Sequence, residues 1–294
     1  MVAIITHDAG GAEILSSWVK ESQINFCTCL DGPALKIFEN KNIKFENLSI
    51  EDAINKSKWV LCGTSWMSDL EIKAIVLSKK LNKKVIVFLD HWTNYIERFE
   101  KDNQYFFPDE IWVGDDYAFE LASKLFENKC KVVLKNNPYF SDIKNSFKNS
   151  TLNKINDSFS NTILYVCEPI KKHALMKYGD ELYWGYNEDL AIDYFFSSLY
   201  KLNMSNYQIV IRPHPSEEDE NYQWVLKKYQ NHAIKIGGKK SLMEEISASN
   251  IIVGCSSMAM VIGLLMDKKV FSTIPPGRGT CTLPFKEIQF IRNL

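Results

Sequence analysis

Short apolar runs that stop at a Gly, Ser or Asp turn and give way to about a dozen residues of helical spacing recur along this chain, and they restrict its fold more than any other feature. Residues 2–6 precede HDAGGAE and a helical pattern through Val19, and 24–27 precede Asp31-Gly32-Pro33. Residues 59–63 lead through a loop to helical spacing over 70–81, and 85–89 stop at Asp90-His91-Trp92. Residues 111–114 precede a helix from about Tyr117, and 132–134 complete the series. Continuously apolar strands alternating with helices predict a parallel sheet covered on both faces.

The composition shifts to Lys, Asn and Ser at NSFKNSTLNKINDSFSN, and the alternation then restarts. Residues 163–167 end at Glu168-Pro169, a long amphipathic helix is expected over 187–202, and 207–211 end at Arg212-Pro213-His214-Pro215. A short strand is expected at 233–236; residues 251–254 end at Cys255-Ser256-Ser257 before an apolar helix, and 270–274 end at Pro275-Pro276-Gly277. The expected class is α/β: two Rossmann-like αβα domains facing a central cleft. The N-terminal domain spans 1–145, a linker 146–161 and the C-terminal domain 162–294. Ligands of open α/β sheets bind outside the carboxyl ends of the strands.

Charge and composition exclude several functions. The 35 Lys and Arg are offset by 36 Asp and Glu for a net charge of -1, so no broad basic face is available to nucleic acid. With 46% hydrophobic and 13% aromatic residues, the chain is not an acidic disordered one. Cysteines at 27, 29, 62, 130, 167, 255 and 281 form no CxxC pair or zinc spacing and read as reduced, buried thiols. The N-terminus lacks the basic and apolar regions of a signal peptide, and no apolar run is long enough for a transmembrane helix. The expectation is a soluble cytoplasmic protein.

Three turns carry the chemistry. In His7-Asp8-Ala9-Gly10-Gly11, adjacent glycines allow close approach of a ligand or positive φ, and a helix N-terminus favours an anion. Asp8 is placed either as a general base or as the cap of the first helix, and the side chains of His7 and Asp8 are expected to diverge. In Arg212-Pro213-His214-Pro215-Ser216-Glu217, the flanking prolines forbid helix and fix the backbone, so His214 projects rigidly and suits donation to a phosphate oxygen. Arg212 suits phosphate or a carboxylate equally. In Gly254-Cys255-Ser256-Ser257, two hydroxyls and free amides at a helix N-terminus form a phosphate cradle, or one serine simply caps the helix.

Glu168 suits ribose hydroxyls, with a solvated loop as the alternative. Asp90, His91 and Trp92 suit sugar-acceptor binding, with Trp92 in the core as the alternative, and Asp115-Asp116 reads as a helix cap. Pro275-Pro276-Gly277-Arg278-Gly279 offers a further turn for an anion, and the aromatic segment 176–186 reads as a lid, an acceptor surface or a face for homodimer formation. The five His show no metal spacing, so no metal is assigned, and neither GxSxG nor GxxxxGK[ST] occurs.

Two Rossmann-like halves, the HP dipeptide of RPHPSE and the SS dipeptide of GCSSMAM resemble the GT-B glycosyltransferases, and among them the bacterial sialyltransferases and related CMP-sugar transferases. The resemblance implies that His214 contacts the CMP phosphate and assists its departure, that Ser256 and Ser257 hold that phosphate, and that Asp8 is the catalytic base. The chain has His7 and Ala9 where that family's first motif has an acid and Gly. UDP-N-acetylglucosamine 2-epimerases share the two-domain layout, and CDP-glycerol-dependent polymerases carry a similar RPHP strand end.

The expected function is a metal-independent, inverting glycosyltransferase of surface-glycan assembly. Asp8 and His214 are its catalytic pair, with Gly10, Gly11, Glu168, Arg212, His214, Gly254, Ser256 and Ser257 on the nucleotide and phosphate, and Asp90, His91 and Trp92 on the acceptor. It needs no cofactor. Its partners are a nucleotide-sugar donor, by resemblance CMP-linked, and a glycan or lipid-linked glycan acceptor. A nucleotide-sugar epimerase or hydrolase, a CDP-glycerol-type transferase and a non-catalytic binding subunit remain as alternatives.

Overall fold

The computed structural model describes residues 1–66, 68–150, 161–277 and 279–294, with 149 and 150 by backbone alone. The chain divides into two compact units, Met1–Asp142 and Ile143–Leu294.

In the first unit the strands are β1 (Val2–Thr6), β2 (Phe26–Leu30), β3 (Trp59–Cys62), β4 (Lys84–Phe88), β7 (Glu110–Val113) and β8 (Lys131–Leu134), with a small antiparallel hairpin of β5 (Glu100–Lys101) and β6 (Gln104–Tyr105). The helices are α1 (Ala9–Ser22), α2 (Pro33–Asn40), α3 (Ile50–Lys56), α4 (Leu70–Lys80), α5 (Asp116–Leu125) and α6 (Pro138–Ser150). The six long strands pair in parallel in the order β2-β1-β3-β4-β7-β8. All five residues of β1 are buried, as a central strand covered on both faces requires. Leu15 and Phe38 from the helices pack against Ile4, Leu61 and Phe88 of the sheet, and each such side chain contributes roughly 1.5–3 kcal/mol when fully buried. Thr6 aligns with Leu30, and Ile5 with Cys62. Their following turns therefore come out along one edge.

In the second unit the strands are β9 (Asn161–Val166), β10 (Tyr207–Arg212), β11 (Ile234–Ile236), β12 (Ile251–Gly254), β13 (Lys269–Ser272) and β14 (Gln289–Phe290). The helices are α7 (Ile170–Tyr178), α8 (Glu188–Ser198), α9 (Gln223–Lys228), α10 (Leu242–Ser247) and α11 (Met258–Leu265). This sheet too is parallel, in the order β11-β10-β9-β12-β13-β14. Tyr165, Phe195, Ile211 and Val253 meet in its core. Asn187 caps α8, its side chain accepting from the Leu190 amide at 3.0 Å. The helix expected over 187–202 ends as a 3-10 turn at Leu199–Leu202.

The linker expected over 146–161 falls mostly on residues that the structure does not describe. Residues 146–150 continue α6 and Asn161 opens β9, while 151–160 lie outside the described residues. All seven cysteines are free, five of them buried. Among the described residues no helix is long and apolar enough to cross a membrane.

Candidate functional site

In the first unit the site is built on the β1 turn. Asp8 stands at the N-cap position of α1 yet makes no side-chain cap bond. Its carboxylate turns instead to the loop after β3, where the Ser65 hydroxyl donates to Oδ1 at 2.7 Å and the Trp66 amide to Oδ2 at 2.8 Å. The His7 and Asp8 side chains do not diverge as expected, for His7 Nδ1 lies 2.7 Å from Asp8 Oδ1. An ionised carboxylate only accepts, so the hydrogen-bond network assigns the proton to Nδ1 and leaves a lone pair on Nε2. The His7 amide donates to Glu71 Oε1 at 2.8 Å. Glu71 is 4% exposed, its Oε2 lacks a hydrogen bond among the described residues, and burial pushes its carboxyl up to about 7.

The glycines of this turn serve close packing rather than positive φ. Both lie within α1. A Cβ on Gly10 would collide with the Asp90 carboxylate, and one on Gly11 would stand 3.0 Å from the Gly63 Cα. Asp90 Oδ1 accepts from Thr64 Oγ1 at 2.8 Å and pairs with Arg98 Nη1 at 3.2 Å in nearly complete burial. Trp92 is buried in the unit, where its indole N–H donates to Asp115 at 2.9 Å. That is the core placement expected as the alternative for Trp92. Asp115 caps α5 as expected, accepting from the Ala118 amide at 2.8 Å. His91 packs on Trp92 at 5.5 Å, and burial lowers its pKa.

In the second unit three turns leave three adjacent strands. Arg212 aligns with Val166 and Val253 with Tyr165, so His214, Glu168 and Cys255-Ser256 each follow the carboxyl end of β10, β9 and β12 in turn. Glu168 occupies the middle position, and β9 lies between the strands of His214 and Ser256.

His214 is held by its own loop. The Ser216 amide donates to Nδ1 at 3.2 Å, the Ser216 hydroxyl lies 2.8 Å from the same nitrogen, and Glu217 accepts from the His214 amide at 3.4 Å and from Tyr222 OH at 2.9 Å. With Nδ1 accepting, the tautomer assigned from these bonds carries its proton on Nε2. Burial, then the neighbouring His173 and Lys172, hold the imidazole pKa below its usual value, so it is a neutral N–H donor at pH 7.

The amides expected to be free at the start of α11 are engaged. Glu168 Oε1 accepts from Cys255 N at 3.1 Å and Ser256 N at 2.7 Å, and burial pushes this carboxyl up to about 7. Ser257 caps α11, accepting from Ala259 N at 3.2 Å, while Ser256 Oγ accepts from Thr282 N at 3.1 Å. Gly254 is buried, and a Cβ there would press on Val166 at 2.8 Å. Arg212 takes the carboxylate partner of its two expected ones, with Nη1 2.5 Å from Glu245 Oε2 and 3.0 Å from the Lys240 carbonyl. Arg278 lies outside the described residues.

Sequence reasoning missed Ser65, Glu71 and Arg98, and gave Glu217 of the RPHPSE run no role of its own. Of the three missed, only Ser65 carried a signal, because Gly63-Thr64-Ser65 repeats the small-residue turn found after β1 and β12.

The fold is shared by solved structures of low sequence identity. The UDP-GlcNAc 2-epimerase of Methanocaldococcus jannaschii matches with a TM-score of 0.63 at 12% identity, over 92% of this chain and 83% of that one. The fold is GT-B-like. The same GT-B-like likeness extends to the S. aureus MnaA structure with UDP (TM-score 0.61, 11% identity, 92% of this chain, 78% of that one). It also extends to the Neisseria meningitidis UDP-GlcNAc 2-epimerase bound to UDP-GlcNAc (0.58, 12%, 88% and 78%). No protein-family model matches the sequence, and no curated protein does.

Proposed function

We propose that the chain is an enzyme acting on a nucleotide-activated sugar, and that it transfers the sugar to an acceptor hydroxyl with inversion. The observation that supports this most is the alignment of His214, Glu168 and Ser256 at the ends of three adjacent parallel strands. In this reading the His214 Nε2–H donates to the departing phosphate, with Lys172 on α7 adding positive charge close by. A neutral donor needs no global positive field, which agrees with a net charge of -1. Glu168, fixed by the two amides, accepts from the hydroxyls of the nucleotide ribose. The β1 turn of the first unit supplies the base, which takes the acceptor proton. A CMP-linked donor is the first to test, and the reaction as proposed uses no metal.

A second reading, epimerisation of a UDP-sugar, is favoured by the likeness of the fold to two UDP-GlcNAc 2-epimerases over at least 88% of the chain. Incubation with CMP-, UDP- and GDP-sugars separates the two, with products followed by proton NMR in the presence and absence of a glycan acceptor. The transferase reading predicts nucleotide release that depends on acceptor. Conversion of a UDP-sugar without acceptor establishes the second reading instead, and no turnover of any donor defeats both.

A further inference from the structure

We propose that the atom that takes the acceptor proton is Nε2 of His7, with Asp8 as its positioning residue rather than the base itself; this rests on the transferase reading above. Asp8 has both carboxylate oxygens committed, to Ser65, Trp66 and His7. A base must offer a lone pair to the incoming hydroxyl. His7 Nε2 does so, because Nδ1 is protonated against Asp8 and Nε2 makes no hydrogen bond among the described residues. The ring is fixed from behind by Asp8 and its backbone by Glu71. A base oriented by a carboxylate on its far nitrogen is the arrangement that general-base catalysis through imidazole uses.

The face of the His7 ring is packed by a glycine. Gly32 follows β2, the neighbour of β1, and has φ +53. A Cβ there would stand 2.5 Å from Nε2 and 2.7 Å from Cε1. With Cδ2 at 2.9 Å as well, such a Cβ would lie over the face of the ring, whereas the Nε2 lone pair points outward in the ring plane. The missing side chain lets the chain after β2 pass close over the ring, which together with Asp8 fixes the ring's orientation.

The step balances with the parts named. The acceptor O–H bond breaks as the proton passes to His7 Nε2, which becomes imidazolium beside the Asp8 carboxylate. The freed oxygen pair forms the new bond to the anomeric carbon, and the bond from that carbon to the phosphate oxygen breaks, its electron pair leaving with the nucleotide. The imidazolium then returns its proton to water.

The test uses the full chain and three variants. His7→Asn keeps a donor for Asp8 but has no nitrogen at the Nε2 position. Its kcat should fall at least about a hundredfold, the low end of what a general base supplies, while its affinity for the nucleotide stays within threefold. Asp8→Asn should fall similarly, because Asn donates to Nδ1 and moves the ring proton to Nε2. Imidazole 15N shifts should show that change, protonated Nδ1 in the wild type and protonated Nε2 in Asp8→Asn. Gly32→Ala presses on the ring that Asp8 orients, so its kcat should fall as well. If His7→Asn keeps wild-type kcat while Asp8→Asn loses it, Asp8 is the base and the proposal is overturned. An unprotonated Nδ1 in the wild type overturns it as well, with or without turnover. Donor conversion that needs no acceptor defeats the transferase reading first, and the base assignment falls with it.

Discussion

Oε1 of Glu168 accepts the backbone amide of Ser256 at 2.7 Å, tying the end of β9 to the entry of α11. The carboxylate so placed takes the position at a helix N-terminus that an anion would otherwise favour.

Replacing Glu168 by Ala should leave the amides of Cys255 and Ser256 without an acceptor. The expected cost is about 1–3 kcal/mol, read from urea unfolding. Glu168→Gln, which keeps an acceptor oxygen, should recover most of it. Equal losses in the two variants would mean that the bonds to the amides are not what the carboxylate provides.

Glu71 gives a pH dependence with a defined sign. Its carboxyl is pushed from 4.5 up to about 7 by burial, so the folded protein keeps a proton that the unfolded chain has lost. That contribution is fully present below about pH 4.5, declines as pH rises towards 7 and is flat above. The shift of about 2.5 units corresponds to about 3 kcal/mol as an upper bound. The stability of Glu71→Gln relative to wild type should therefore increase from pH 4.5 to 7.5. A constant difference across that range would place the titration elsewhere.

The buried Asp90–Arg98 pair should resist separation. Arg98→Met strands the Asp90 carboxylate, with an expected loss of about 3–5 kcal/mol. The double variant with Asp90→Asn should regain part of it. Strict additivity of the two single losses would show that the pair does not interact.

The strand–helix alternation was legible because each strand is buried on both faces and so reads as an unbroken apolar run, as at Val2–Thr6 and Ile251–Gly254. The positions of His214, Asp8 and the serine turn on their strand ends were legible for the same reason. Their partners were not. Glu168 reaching Ser256 spans 88 residues, and Asp8 reaching Ser65 spans 57. Such contacts depend on strand order, which periodicity does not encode. Polar residues that looked available, Arg212 and Asp90, are held by Glu245 and Arg98 for that reason.

Arg212 should therefore act on stability more than on ligand. Arg212→Gln should lower the melting temperature while nucleotide affinity stays within threefold. A tenfold weaker affinity at unchanged stability would return Arg212 to the phosphate.

The most direct test of the account is calorimetric titration of the wild type and His214→Ala with CMP, UDP, CDP and GDP. At least one nucleotide should bind the wild type, and His214→Ala should bind it at least tenfold more weakly, about 1.4 kcal/mol, with the ligand-free melting temperature little changed. Equal affinity in the two proteins, or no binding of any nucleotide by the wild type, would contradict it.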